Sequence, residues 1–373
     1  VAQHPPLPTV SVVIPVHTPD RPIRKAVESV IGQNAPGTDV VVVCHNTSPI
    51  AIQERLVGLD SERYSLLELQ DGIPSPAGPL NLGVESATSD YVTVLGSDDV
   101  YEPHVFDFWR KELASSSPEL LVGQFKVEGV GRVLAPAPRV GRFRRLDAAK
   151  DLLYTRTPQL AVLFHSDLVR HQDYPGFMPA ARNGEDIALS AFLWSVSSST
   201  SYSRCSDGFL VGISANDRVT AAPFSVAELL APVLFTLEQP WIASLERSQR
   251  VALALKLTTN HVLSTLRSRE RSAAISEDDL PHYRDVLTRL ERLSPGYGGR
   301  LTRRDNGLVS AILQGHTDRL LEWLEDSRPL ARYRPQQLRY VFSPSGVLRR
   351  AVRLALVPRL LRPAVPAAAK EHA

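Results

Sequence analysis

The chain has 373 residues, 43% hydrophobic and 22% charged, with a net charge of +2. That length accommodates two domains or one large α/β domain with an appendage, and so small a charge gives no global case for nucleic-acid binding. Two distant cysteines, Cys44 and Cys205, make no disulfide framework and suit a reducing compartment. No apolar run reaches membrane-span length, and the N-terminus "VAQHPPLPTV" lacks the basic and apolar regions of a signal peptide.

In chain order, "TVSVVIPV" predicts a strand rich in β-branched residues. "DRPIRKAVESVIGQ" then predicts a helix, with Asp20 as cap and Ile23, Val27, Val30 and Ile31 on one face. "DVVVVC", "YSLLEL" and "DYVTVL" predict three further strands, separated by the helical patterns "SPIAIQERLVGL" and "PLNLGVESATS". Near-continuous Val/Ile/Leu runs between helices indicate a mostly parallel sheet covered on both faces. Ligands of such sheets bind beyond the carboxyl ends of the strands. His17, Cys44 to Asn46, and Asp98 with Asp99 all stand at such ends.

Beyond Glu102 the spacing predicts a helix over "PHVFDFWRKELASS", a strand over "ELLVGQFKVEG", a helix over "LDAAKDLLY" and a strand over "QLAVLF". "NGEDIALSAFLWSVSS" reads as helical, and the short strands "TSYS" and "GFLVGI" follow. From Pro223 onward the texture is nearly all helical. The expected division is therefore a domain over 1–222, a helical domain over 223–330 and a basic amphipathic tail over 331–373.

The pair Asp98–Asp99 closes the fourth predicted strand. Two adjacent carboxylates repel, and either a divalent cation or open water relieves that repulsion. The plain alternative is a solvated turn that caps the next helix. Glu185 and Asp186, opening a later helix, form a second acidic pair, and a helix N-terminus tolerates negative charge there. Its plain alternative is an N-terminal charge pair behind Gly184.

Three blocks, "SVVIPVHTPDRPIRKAVESVIGQ", "NLGVESATSDYVTVLGSDDVYEP" and "NGEDIALSAFLW", occur in an order that resembles the inverting family 2 glycosyltransferases. The resemblance spans roughly residues 10 to 220. It implies a GT-A fold, Rossmann-like with flanking helices, to which the C-terminal all-α domain is appended. It further implies transfer of a sugar from a nucleotide-sugar, here a UDP-sugar, with dTDP and GDP donors left open.

By the same resemblance Asp98 ligates Mn2+ or Mg2+, Asp99 acts on the metal directly or through a water, and Asp186 is the general base with Glu185 as its structural or acceptor-binding neighbour. Pro15, Val16, His17, Asn46, Asn81, Ser97 and Asp98 would bind the donor. The implied acceptor is a hydroxyl of a cell-envelope glycan or a teichoic-acid-like, lipid-linked polymer. The sequence also departs from the family at several places. Gly96 replaces an Asp, "VVCHNTS" with Cys44 and His45 replaces an acidic strand end, and Leu80 replaces an Arg before Asn81. Arg218 is a loose candidate for a diphosphate contact.

These departures keep a second class of function open, a catalytically inactive GT-A-fold scaffold that binds glycan or nucleotide. A nucleotidyltransferase would want a Gly-rich cationic loop after the first strand, and "HTPDRPIRK" matches that poorly. In the tail, Arg349, Arg350, Arg353, Arg359 and Arg362 interleave with Leu348, Val352, Leu354, Leu356, Leu360 and Leu361. That pattern suits an anionic membrane surface. The expected location is cytoplasmic, peripheral on the inner face of the plasma membrane, with homo-oligomerisation left open.

Overall fold

The computed structural model describes residues 6–364 apart from 34, 137, 158, 160, 213–223, 272–275, 326–333, 338–339 and 341–346. Arg218 and the expected domain boundary near 223 lie outside the described residues.

The first half runs β1 (Val10–Val16), α1 (Ile23–Ile31), β2 (Thr38–His45), α2 (Pro49–Arg55), β3 (Tyr64–Leu69), α3 (Ala77–Ser86) and β4 (Tyr91–Val94). Then come β5 (Val100–Tyr101), α4 (Val105–Ser116), β6 (Leu120–Val122), β7 (Gln124–Val127), β8 (Gly131–Val133), β9 (Val162–His165), α5 (Ile187–Val196), β10 (Thr200–Tyr202) and β11 (Gly208–Val211). The main sheet has seven strands in the order β10-β6-β9-β4-β1-β2-β3. β1 pairs in parallel with β2 and β4, and β2 with β3, whereas β9 is antiparallel to both β4 and β6. A smaller sheet, β5-β11-β7-β8, flanks it.

Alternation along the central strands feeds two apolar layers. Val10, Val12, Ile14 and Val16 join Ala26, Val27 and Val30 of α1 on one side of the sheet. Val13, Val41 and Val43 join Leu80 and Val84 of α3 and the α5 side chains on the other. Covering both faces leaves only the strand ends for a ligand.

Three expectations change. Asp20 does not cap α1, whose N-cap is Pro22; the Asp20 N–H instead bonds the Thr18 hydroxyl. The single strand expected over 119–129 is two, β6 and β7, in different sheets. Gly123 stands between them, packed so closely on the buried Trp109 indole that any Cβ there would overlap it. Over 146–154 there are turns and one short 3-10 turn rather than a helix. The Asp151 carboxylate sits there under Arg139 and the Asp147 N–H, at 2.6–2.9 Å, and holds the chain in a loop.

The C-terminal part is helical: α6 (Val226–Leu237), α7 (Arg247–Lys256), α8 (Leu263–Arg271), α9 (Leu280–Leu293), α10 (Arg303–Gln314), α11 (Thr317–Glu325) and α12 (Val347–Leu356). A reciprocal Ser225–Glu228 capping box starts α6. A π-helical turn over Leu257–Val262 joins α7 to α8. Trp241, Leu253, Leu257, Tyr283 and Leu287 share one buried cluster with Phe192 and Leu193 of α5. The helices therefore support α5, and through it the loop in front of α5, by shared core rather than by a linker.

Candidate active site

Beyond the carboxyl ends of β1, β2 and β4 lies a cavity of about 620 Å3, lined by Pro15, Val16, His17, His45, Asn46, Leu80, Gly96, Ser97, Asp98, Asp99 and Glu185, among others. The structure thus brings three of the four carboxyl groups to one cleft, Asp98 and Asp99 from the β4–β5 turn and Glu185 from the loop before α5.

The β4–β5 turn is closed by a 3.1 Å bond from the Asp99 N–H to the Gly96 carbonyl. Asp98 Oδ2 is 3.0 Å from an Arg21 guanidinium nitrogen, with both side chains nearly buried. Asp99 Oδ1 accepts the Gly212 N–H at 2.8 Å, tying the turn to the end of β11. Asp98 Oδ1 and Asp99 Oδ2 lie beside Gly96. A Cβ there would collide with Asp99 Oδ2 and stand 3.3 Å from Asp98 Oδ1. The missing side chain at Gly96 therefore leaves a cradle into which two hard oxygen donors converge, which fits Mn2+ or Mg2+ completed by phosphate oxygens. Among the described residues no cluster of three or more His, Cys, Asp or Glu is arranged for a metal.

Glu185 follows Gly184, whose φ of +74° permits the sharp entry into α5. Its carboxylate accepts from the Gln159 amide, and its carbonyl accepts the Met178 N–H. Burial, then the charge of Asp186, pushes its pKa up to about 7. Asp186 is the α5 N-cap residue but does not line the cleft. Burial raises its pKa, opposed by the Lys256 charge and a hydrogen bond with Thr157. Lys256, at the end of α7, is itself buried, which brings it down to about 8, and its Nζ finds no hydrogen-bond partner among the described residues. Of the pair, Glu185 lines the cleft, and Asp186, expected as the general base, is buried within the field of Lys256.

At the β2 end, Asn46 has φ +54° and lines the cleft, yet its amide is engaged. Its Oδ1 accepts the Gly72 N–H at 2.9 Å and its Nδ2 donates to Asp71 at 3.3 Å. His45 is 2.8 Å from the same Asp71 carboxylate. Burial raises the Asp71 pKa, but bonds with the Ile73 N–H, His45 and Asn46 outweigh it and hold it low. An acidic group absent from the strand end is thus delivered by the loop after β3. Asn81 is not in the cleft wall. Its amide clasps the Phe177 backbone at 2.8 and 2.9 Å, pinning the loop that leads to Glu185. Leu80 beside it does line the cavity. Cys44 is buried, and its thiol is pushed up to about 11 by burial and then by Glu68, so it is inert as a nucleophile.

Arg21, Arg182, Asp71 and Lys256 escaped the sequence reading. Arg21 directly follows Asp20, in a segment whose local pattern signals only the start of a helix. Arg182 lines the cleft and reaches the α6 cap through Glu228 at 2.8 Å. Nothing local marks Asp71 or Lys256, because tertiary folding alone brings them to the site.

Known proteins resemble this chain in sequence and in fold. Residues 11–170 match the model of glycosyl transferase family 2. A 134-residue stretch is 25% identical to poly(ribitol-phosphate) beta-N-acetylglucosaminyltransferase TarP of Staphylococcus aureus strain N315, covering 34% of this chain and 40% of that protein. The chain thus matches less than half the length of that relative. The fold is similar to S. aureus TarS 1–349 in complex with UDP-GlcNAc, with a TM-score of 0.70 at 16% identity over 85% of this chain and 90% of that one. The UDP complex of the same TarS fragment gives a TM-score of 0.65. The architecture is therefore a GT-A domain with a C-terminal helical region.

Proposed function

We propose, for a chain whose residues 11–170 match the model of glycosyl transferase family 2, that it is a metal-dependent inverting glycosyltransferase. The observation that carries the reading is that Asp98, Asp99 and Glu185 line one cleft. TarS supplies the first donor to try, UDP-GlcNAc, and TarP supplies the acceptor class, a hydroxyl of a teichoic-acid-like polyol-phosphate polymer. With such a donor the proposed reaction would lie on the cytoplasmic side of the envelope.

Held by Asp98 with Asp99 beside it, Mn2+ or Mg2+ would neutralise charge on the departing diphosphate. Arg21 is positioned to leave Asp98 for that diphosphate, a bidentate acceptor suited to guanidinium. The acceptor oxygen forms the new bond to the anomeric carbon while the bond from that carbon to the phosphate oxygen breaks, its electron pair leaving with UDP. Glu185 takes the acceptor hydroxyl proton, and a base titrating near neutrality is matched to that step. Asp186 and Lys256 hold the pair's charge from behind. Asn81 holds the loop that aims Glu185.

The Arg21–Asp98 ion pair at 3.0 Å is the observation that favours the other reading, a nucleotide-binding scaffold in which the cation site is closed by a guanidinium. Release of UDP from UDP-GlcNAc, with a polyol-phosphate polymer present, separates the two. Turnover that requires Mn2+ or Mg2+ and is lost in Asp98→Ala supports the enzyme. Donor binding without metal-stimulated turnover on any nucleotide sugar supports the scaffold.

A further inference from the structure

The last helix of the described chain is inside out. Among the described side chains of α12 the buried one is a cation, Arg353 at 4% exposure, within electrostatic reach of Asp151 and Arg139. Leu348, Val352 and Leu356, four residues apart on one stripe, are 50%, 52% and 38% exposed. Leu354 and Leu360 add 44% and 37%. Five of the eleven large apolar side chains left exposed among the described residues fall between 348 and 360. A surface helix ordinarily turns its apolar stripe to the core, and a contiguous apolar patch in water marks an interaction site.

The surroundings of that stripe are basic. Arg349 and Arg359 are exposed on the same segment. Beyond the 139–151 loop that faces Arg353 lies a second cavity, of about 650 Å3, remote in sequence from the donor-side residues. Its wall carries Arg142, Arg144, Arg145 and Arg204 against one acidic residue, Glu112. The Glu112 carboxylate is already bonded by the Ser203 hydroxyl and the Arg204 N–H. Val140, 43% exposed, lines the same cavity. The tail reaches this wall directly, since the Arg362 N–H donates to the Arg204 carbonyl at 2.7 Å.

We infer that the α12 stripe and the adjoining arginine-lined cavity dock this protein on an anionic lipid bilayer. Guanidinium groups attract phosphate headgroups, and aliphatic side chains exposed nearby enter the headgroup–acyl boundary. A soluble polyanion would satisfy the arginines and leave Leu348, Val352 and Leu356 in water, so the pairing of the two features favours lipid. No described helix is long and apolar enough to cross a membrane, so this attachment is from the surface. The inference does not depend on the catalytic reading.

Flotation of the full chain with vesicles, without donor or metal, tests it. Binding to vesicles containing phosphatidylglycerol and much weaker binding to pure phosphatidylcholine are expected. The Val352→Glu/Leu356→Glu double variant should bind at least about tenfold more weakly. Arg359→Gln should lose about fivefold, the effect of one cation near the surface. Both should keep the parent melting temperature and solution turnover. Absence of flotation, equal binding to neutral vesicles, or an unaffected double variant overturns the inference. So does affinity for soluble polyphosphate alone. An oligomer that the double variant dissociates, with no vesicle affinity, overturns it too and gives the stripe to a second copy.

Discussion

The two acidic pairs have the same residue types and opposite surroundings. Asp98 and Asp99 meet a guanidinium and a backbone N–H, with an oxygen of each beside Gly96. Glu185 and Asp186 meet burial and each other, with one cation behind them, and both are pushed toward the protonated form. In the proposed mechanism the first pair would serve a cation and the second would handle a proton. Environment, not residue identity, divides the labour between four carboxyl groups.

The largest effect that would break this contrast is at Glu185. Glu185→Gln should lower turnover by about a thousandfold, within the range for removal of a general base. It should also melt higher than the parent at pH 8. The folded-state pKa of Glu185 lies above its ordinary 4.5. Its contribution to stability is therefore complete at low pH and is lost as pH rises through about 7. Glutamine avoids that loss. A variant that is inactive and less stable at pH 8 would show that the carboxylate holds structure instead.

Next in size is the pH profile. On the acid side kcat/KM should fall about tenfold per pH unit below roughly 7, because the base form of Glu185 is being lost. Lys256→Met sharpens this. Without the cation the buried Asp186 takes up a proton, its charge no longer raises Glu185, and the acid limb should move to lower pH. An unmoved limb would remove Lys256 from the account. The smallest effect belongs to Asn46→Ala. Its amide already bonds Gly72 and Asp71, so the donor KM should change by no more than about fivefold, the scale of one hydrogen bond. A larger rise would return Asn46 to reading the nucleobase.

The two regions were also unequally legible. The donor side was readable because each piece is local: a β-branched run, a turn and Asp98–Asp99 within a few residues. Its strand order was not, since the antiparallel β9 enters between β4 and β6 by long-range pairing. On the acceptor side the Glu185–Asp186 pair could be found, but which carboxyl meets the cleft is decided by Gly184, Gln159 and Lys256, residues of three separate segments. The helices beyond 225 were recognisable by period. The π turn over 257–262, which follows Lys256 directly, carries no comparable signal in "LTTNHV".

The most direct test is calorimetric titration of UDP into the parent chain, Asp98→Asn and Glu185→Gln, each with Mn2+ and with chelator, alongside turnover of UDP-GlcNAc. The account predicts Mn2+-dependent UDP binding in the parent and in Glu185→Gln, its loss in Asp98→Asn, and turnover in the parent alone. Metal-independent binding in all three chains, or undiminished turnover in Glu185→Gln, would contradict it.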